Sequence, residues 1–168
     1  GNGVPQDEEK AILLYRRAAR AEDVQAEFYL GRILCNTARF PSEFAEAQAW
    51  LSRAARHGNA CAFRKIGVMY RDGKGVDKDY VKAMEYFRVA ASNNCSDAIN
   101  DVGISYRMGR GVSQDYVEAM KWFQKAADRG MPNAMGNIAW LYGEGHGTQT
   151  NNGKALFYYR KAAELGDG

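Results

Sequence analysis

The segment at residues 72–87, DGKGVDKDYVKAMEYF, returns at 108–123 as MGRGVSQDYVEAMKWF and again at 144–159 as EGHGTQTNNGKALFYY. The interval is 36 residues, and 11 of the 20 positions are identical between 72–91 and 108–127. Self-similarity at a fixed period of this size marks a stacked array, in which each copy covers the apolar face its neighbour cannot bury alone. The register holds without a gap. Ala11, Ala47, Ala83, Ala119 and Ala155 share one phase, and Leu14, Trp50, Tyr86, Trp122 and Tyr158 share another. Ala-Ala pairs recur at 18–19, 54–55, 90–91, 126–127 and 162–163.

Each period contains two helical patterns. Residues 79–92 place Ala83, Tyr86, Phe87 and Ala90 at i, i+3, i+4 and i+7, one face of a helix, here called helix B. Asp79 and Asp115 stand at its N-cap position. Residues 60–71 place Ala62, Ile66, Met69 and Tyr70 on one side of a second helix, helix A. Gly73 and Gly75, like Gly109 and Gly111, follow helix A, where a left-handed residue ends the helix and turns the chain. The recurring Gly-x-Gly is therefore a corner rather than a phosphate loop. Gly58, Asn94, Gly130 and Gly166 fill the second join, after helix B, with residues that tolerate positive φ. The fold predicted is all-α: 36-residue helix–turn–helix repeats stacked into a right-handed α-α superhelix, or solenoid. It forms a single repeat domain over 1–168, with a lone helix B at 4–20 and A–B pairs at 24–58, 60–94, 96–130 and 132–166.

The pattern carried by Ala62 to Ala91, AxxxIGxMYxxGxGVxxDYxxAMxYFxxAA, resembles the Sel-one-like repeat (SLR), a relative of the tetratricopeptide repeat. The likeness covers nearly the whole chain. It departs at 37–42, where TARFPS replaces the Gly-x-Gly-Val corner, and at Ala139, which stands where Gly31, Gly67 and Gly103 stand. The second departure predicts a tight helix contact with room for one methyl. The resemblance implies a non-enzymatic scaffold or adaptor that assembles protein complexes, as in bacterial signalling, host interaction or eukaryotic membrane-protein quality control.

The residues themselves offer no anchor for catalysis. The two histidines, His57 and His146, belong to no metal-ligand pattern, and His146 reads as a solvated turn residue. GTQTNNGKA at 147–155 is a poor phosphate loop, with one residue too many between the glycines and Ala155 where a hydroxyl must meet magnesium. There is no Gly-x-Ser-x-Gly and no Ser-x-x-Lys. No cofactor or metal is expected. A formal charge of +3 does not call for nucleic acid, and no apolar run suits membrane insertion. Cys35, Cys61 and Cys95 are odd in number and unrelated in phase, and read as buried or free thiols. The repeated Trp50, Trp122, Phe87, Phe123, Met84 and Met120 read as core. No compartment or oligomeric state is implied. The chain opens at Gly1-Asn2-Gly3-Val4, inside the repeated segment, and begins and ends on a helix B. Either the array continues in a longer parent protein or its ends stack on another molecule.

A partner is expected on positions the repeat leaves variable. Opposite the core stripe of helix A run three columns: Phe28, Arg64, Asn100 and Gly136; Arg32, Val68, Ile104 and Trp140; Cys35, Arg71, Arg107 and Gly143. The resemblance implies that they line the concave surface. An apolar strip of Val68, Ile104 and Trp140 flanked by Arg32, Arg64, Arg71 and Arg107 suits a peptide carrying carboxylates among apolar anchors. The predicted contacts are thus Phe28, Arg32, Arg64, Val68, Arg71, Asn100, Ile104, Arg107 and Trp140. Two other readings stay open: side chains of adjacent repeats cover the strip, or the arginines pair with Asp72, Asp97, Asp101 and Glu144. From other function classes come a hydrolase or sugar-binding module acting on cell-wall material, and a docking domain of a longer enzyme or signalling protein.

Overall fold

Helix A ends where the corner glycines say it must. Gly73, Gly109 and Gly145 adopt φ of 70°, 65° and 71°, and each donates its N–H to a carbonyl four residues back, on Met69, Ser105 and Leu141. A side chain in this backbone region is strained, so the helix stops without help from tertiary packing. Starts are equally local. Asp23 accepts from the amide of Ala26, Asn59 from that of Ala62, and Asp115 from those of Val117 and Glu118.

The structure, a computed structural model, describes residues 4–166, with side chains from Lys10 onward; the opening Gly1-Asn2-Gly3 lies outside the described residues. Nine helices and no strand occur among the described residues. They are α1 (Val4–Arg20), α2 (Val24–Thr37), α3 (Pro41–Arg56), α4 (Ala60–Asp72), α5 (Tyr80–Ser92), α6 (Ser96–Met108), α7 (Tyr116–Ala127), α8 (Pro132–Glu144) and α9 (Asn152–Gly166). The chain divides into two compact units, 1–79 with α1–α4 and 80–168 with α5–α9. Within each, a helix packs on the next in sequence, most extensively in the pairs α2·α3, α6·α7 and α8·α9. Because α9 runs through Gly166, that glycine does not supply the positive-φ join expected of it. Glu22, in the same column as Gly58, Asn94 and Gly130, does adopt positive φ, at 64°.

The alanine columns are the contact line between helices. Ala26, Ala47, Ala54 and Ala62 in the first unit, and Ala83, Ala98, Ala119, Ala126 and Ala134 in the second, are buried. Leu30, Leu51, Phe87, Phe123, Ile138 and Leu141 fill the space between them. Two glycines bring the backbones closer still. A Cβ on Gly31 would lie 2.7 Å from Leu51 Cγ, and one on Gly103 would lie 2.6 Å from Phe123 Cδ1. The expected room for a methyl is absent at both, because the facing side chain sits where the methyl would go. In the fourth repeat Ala139 takes the glycine's place. Tyr159, at the register of the fully buried Phe123, is 49% exposed.

The TARFPS corner is built differently. Phe40 precedes α3 with no side-chain acceptor to offer, and Pro41 opens the helix. The Glu43 carboxylate reaches back to the amides of Arg39 (2.6 Å) and Phe40 (3.1 Å). Those two hydrogen bonds hold its carboxyl below the ordinary glutamate range.

Two expectations are corrected here. Trp50, Trp122 and Met120 are only half-buried, and the two tryptophans carry cations on their faces: Arg53 at 5.6 Å and Lys125 at 4.4 Å from the ring centroids. Phe87, Phe123 and Met84 are core, as expected. Cys61 and Cys95 are disulfide-bonded rather than free. The odd count hid this, since one cysteine left over argued against any pairing. Cys35 is the free thiol among the described residues, and burial pushes its pKa up.

The first unit also buries a carboxylate. Glu27 has no exposed side-chain surface. Arg53 Nε lies 2.5 Å from Oε1, close but not aligned as a hydrogen bond, and His57 Nδ1 lies 2.9 Å from Oε2. Arg53 also reaches Glu22 at 3.5 Å.

Three measurements check this packing. Gly103→Ala is expected to cost about 1–3 kcal/mol in urea unfolding, and markedly less in a Phe123→Ala background that removes the obstructing ring. Arg53→Ala, which deprives a fully buried carboxylate of its nearest cation, should cost about 3–5 kcal/mol. Glu27→Gln should cost less, because Arg53 and His57 both keep access to water. Thiol titration of the denatured chain should count one reactive cysteine without reductant and three after reduction.

Candidate functional site

The predicted contact columns belong to helix A of each repeat, and both units carry some of these residues. In the first unit Phe28, on α2, is half-buried with its ring 5.6 Å from that of Tyr29. Arg32, one turn on, is exposed, and its guanidinium lies 4.7 Å from the Tyr29 ring centroid. On α4, Arg64, Val68 and Arg71 are all half-buried. Arg71 holds Asp72 with two nearly parallel contacts, Nε to Oδ1 at 2.7 Å and Nη2 to Oδ2 at 3.0 Å. That fork lowers the Asp72 pKa, against an opposing effect of burial. One of the internal pairings weighed above is therefore made, and Arg71 already has a carboxylate.

In the second unit Asn100, on α6, is buried and accepts a hydrogen bond from Asn137 Nδ2 on α8 at 3.2 Å. Ile104 follows one turn later and is half-buried. Arg107 lies across the face of Trp140, 5.1 Å from the ring centroid. Its Nε is buried without a hydrogen-bond acceptor, and it forms no ion pair with a carboxylate among the described residues. Beside Trp140, a Cβ built on Gly136 would meet nothing within 4 Å.

The corner after α8 completes this patch in a way the sequence did not suggest. His146 is a half-buried member of an aromatic cluster rather than a solvated turn residue. Its ring stacks on Tyr116 at 4.4 Å with the planes 10° apart, and lies 5.0 Å from Trp140. Gly147 explains the approach: a Cβ there would lie 2.8 Å from the backbone carbon of Tyr116, so the corner lies against the start of α7. A lone histidine in a glycine-rich turn carries no sequence signal for stacking.

Among the described residues no group of three or more His, Cys, Asp and Glu side chains is arranged to hold a metal ion, and no helix is long and apolar enough to cross a membrane. The half-buried arginines, an indole and an imidazole offer flat apolar faces rimmed by positive charge.

A chain of paired helices at a strict period, with its variable side chains on one helix of each pair, is a helical-repeat protein of the all-α class. It belongs to the Sel1 repeat family, whose model matches residues 1–23, 24–59, 64–95, 96–131 and 132–167. Solved structures agree. A Sel1 repeat protein from Oxalobacter formigenes is 31% identical, with a TM-score of 0.83 over 98% of this chain and 67% of that one. The protein c5321, described as a protective antigen present in uropathogenic Escherichia coli strains and displaying an SLR fold, is 34% identical with a TM-score of 0.78. The match covers 89% of this chain but only 32% of c5321, so this chain spans about a third of its length. The Helicobacter pylori cysteine rich protein B is 28% identical, with a TM-score of 0.60 over 81% of this chain and 98% of that one. No functionally curated protein matches the sequence. Sel1 repeat proteins are generally scaffolds for protein–protein interaction and typically non-enzymatic.

Proposed function

We propose that this protein is a non-catalytic adaptor that binds an extended, carboxylate-bearing peptide segment along its helix A columns. The observation that carries the reading is Arg107, spread over Trp140 at 5.1 Å with no carboxylate partner among the described residues. An arginine held over an indole is partly preorganised: some of its side-chain entropy is already lost, and its charge is not spent on a carboxylate. Ile104 and Trp140 supply the apolar anchors beside it, and Asn100 is held by Asn137. The open space at Gly136 leaves room for a peptide side chain.

In the first unit Phe28, Arg32 and Val68 offer the same kinds of side chain. Arg32 is the available cation there, because Arg71 is engaged by Asp72. Arg64 belongs to the same set of columns. The family's general role as a protein-interaction scaffold supports a protein partner, and the arginines support acidic residues in it.

A fluorescence-anisotropy screen against an array of acidic and neutral peptides tests the reading. Acidic peptides carrying a large apolar residue should bind best, with affinity falling as salt rises. Trp140→Ala or Arg107→Glu should cost about 2 kcal/mol, roughly thirtyfold in Kd, with the circular dichroism spectrum unchanged. Equal binding by the intact chain and both variants would remove the helix A columns from consideration.

A further inference from the structure

The second unit contains a surface cavity of about 480 Å³ that owes nothing to the helix A columns. Its walls come mainly from the last turns of two helices B, α5 and α7. Arg88, Lys125 and Arg129 face it, Trp122 and Ile99 supply apolar wall, and Asn94 stands at its rim. Each cation is held by a neutral group. Arg88 Nη2 donates to the Tyr106 hydroxyl at 2.7 Å, Arg129 Nη2 donates to Asn94 Oδ1 at 3.2 Å, and Lys125 Nζ lies over the Trp122 ring. None of the three is ion-paired among the described residues. The cavity's one carboxylate, Asp128, accepts a hydrogen bond from Gln124 at 2.8 Å. Three cations against one carboxylate leave a surplus of two positive charges.

The repeat supplies an internal control. Two periods, or 72 residues, earlier, the same positions read Arg16, Glu22, Glu27, Trp50, Arg53 and His57 in place of Arg88, Asn94, Ile99, Trp122, Lys125 and Arg129. There the cations are neutralised from within. Arg53 contacts both Glu22 and Glu27, His57 contacts Glu27, and Arg16 pairs with Glu46 at 3.0 Å. In the second unit Glu22 has become Asn94 and Glu27 has become Ile99, while Glu118, at the register of Glu46, is drawn to Lys121. The cations were kept and their carboxylates were not. Nor does stacking of the repeat demand the cations, since Val89 and Asn93 occupy the positions of Lys125 and Arg129 one period earlier.

We infer that this cavity is a binding site for a ligand bearing two carboxylates, which supply from the cavity the negative charge the first unit carries as Glu22 and Glu27, with the ligand's carbon body lying against Trp122. The unpaired cations and the charge surplus call for a dianion, and in the first unit the same framework of indole and cations accommodates carboxylates.

The test is calorimetric titration of the full chain at low salt with glutarate, a capped diglutamyl peptide and inorganic phosphate, with the Trp122 indole N–H followed by NMR. Asn94→Glu is the decisive variant, because Glu22 already holds a glutamate at that register with nearly the same φ, 64° against 69°. It should restore the internal carboxylate and weaken dicarboxylate binding about tenfold or more, as should Lys125→Gln. Ile99→Glu, which rebuilds the Glu27 position, should do the same if folded. Tighter binding of glutarate than of the peptide identifies a small acid as the source, and the reverse identifies a protein segment; either supports the site. Failure of both to bind, affinity unchanged by Asn94→Glu and Lys125→Gln, or phosphate binding tighter than both would overturn it. Trp140→Ala should leave this binding intact, which separates its fate from that of the helix A columns.

Discussion

Everything in this molecule hangs on how closely one helix can approach the next. Helices faced with alanine and glycine bring their backbones near enough that a single large side chain, Leu51 or Phe123, sits directly against the opposite main chain. Such a contact tolerates little change in volume, because interiors are packed to crystal-like density. It also explains the rigidity of the period. A residue inserted into either helix would rotate the small face away from its partner by about 100°, so the 36-residue interval is a mechanical requirement as much as an inheritance.

That requirement is why the fold was legible. The alanine columns, the corner glycines and the Asp115 cap each express a local rule, and each local rule agreed with the global one. Where the sequence misled, the interaction was a matter of neighbours in space. Trp50 and Trp122 lie at core phases of helix B yet are half-buried, and long cations from the following turn lie on their faces. His146 belongs to the site through Tyr116, thirty residues away, and nothing in its own turn announces that. The disulfide state of Cys61 and Cys95 was hidden by the odd number of cysteines. Of the candidate columns, the positions were readable from helical phase. The partners were not: Arg71 and Asp72 adjoin in sequence, but only the structure shows the fork closed between them.

A repeat protein also offers a comparison that single-copy folds lack. Residues that recur in every copy answer to stacking, and residues that differ answer to something else. Read this way, the contrast between the buried Glu27 and its counterpart Ile99 is more informative than either alone. The framework of indole and cations persists while the groups that balance it vanish. Charge left unbalanced on a surface lined by an aromatic ring is a physical argument for recognition, because it raises the local concentration of anions and offers them a desolvated wall. The same logic distinguishes Arg107 from Arg71: equivalent positions in successive repeats, one satisfied by its neighbour and one not.

The corner between α2 and α3 has a consequence of its own. Gly73, Gly109 and Gly145 shape their corners through backbone geometry, which no change of acidity reaches. The TARFPS corner instead depends on the ionised carboxylate of Glu43, whose pKa is lowered by the amides it holds. Its stabilising contribution is therefore complete at neutral pH and is lost as the medium acidifies through that lowered value. Acid would therefore loosen the start of α3, while the left-handed glycines that end α4, α6 and α8 kept their backbone geometry.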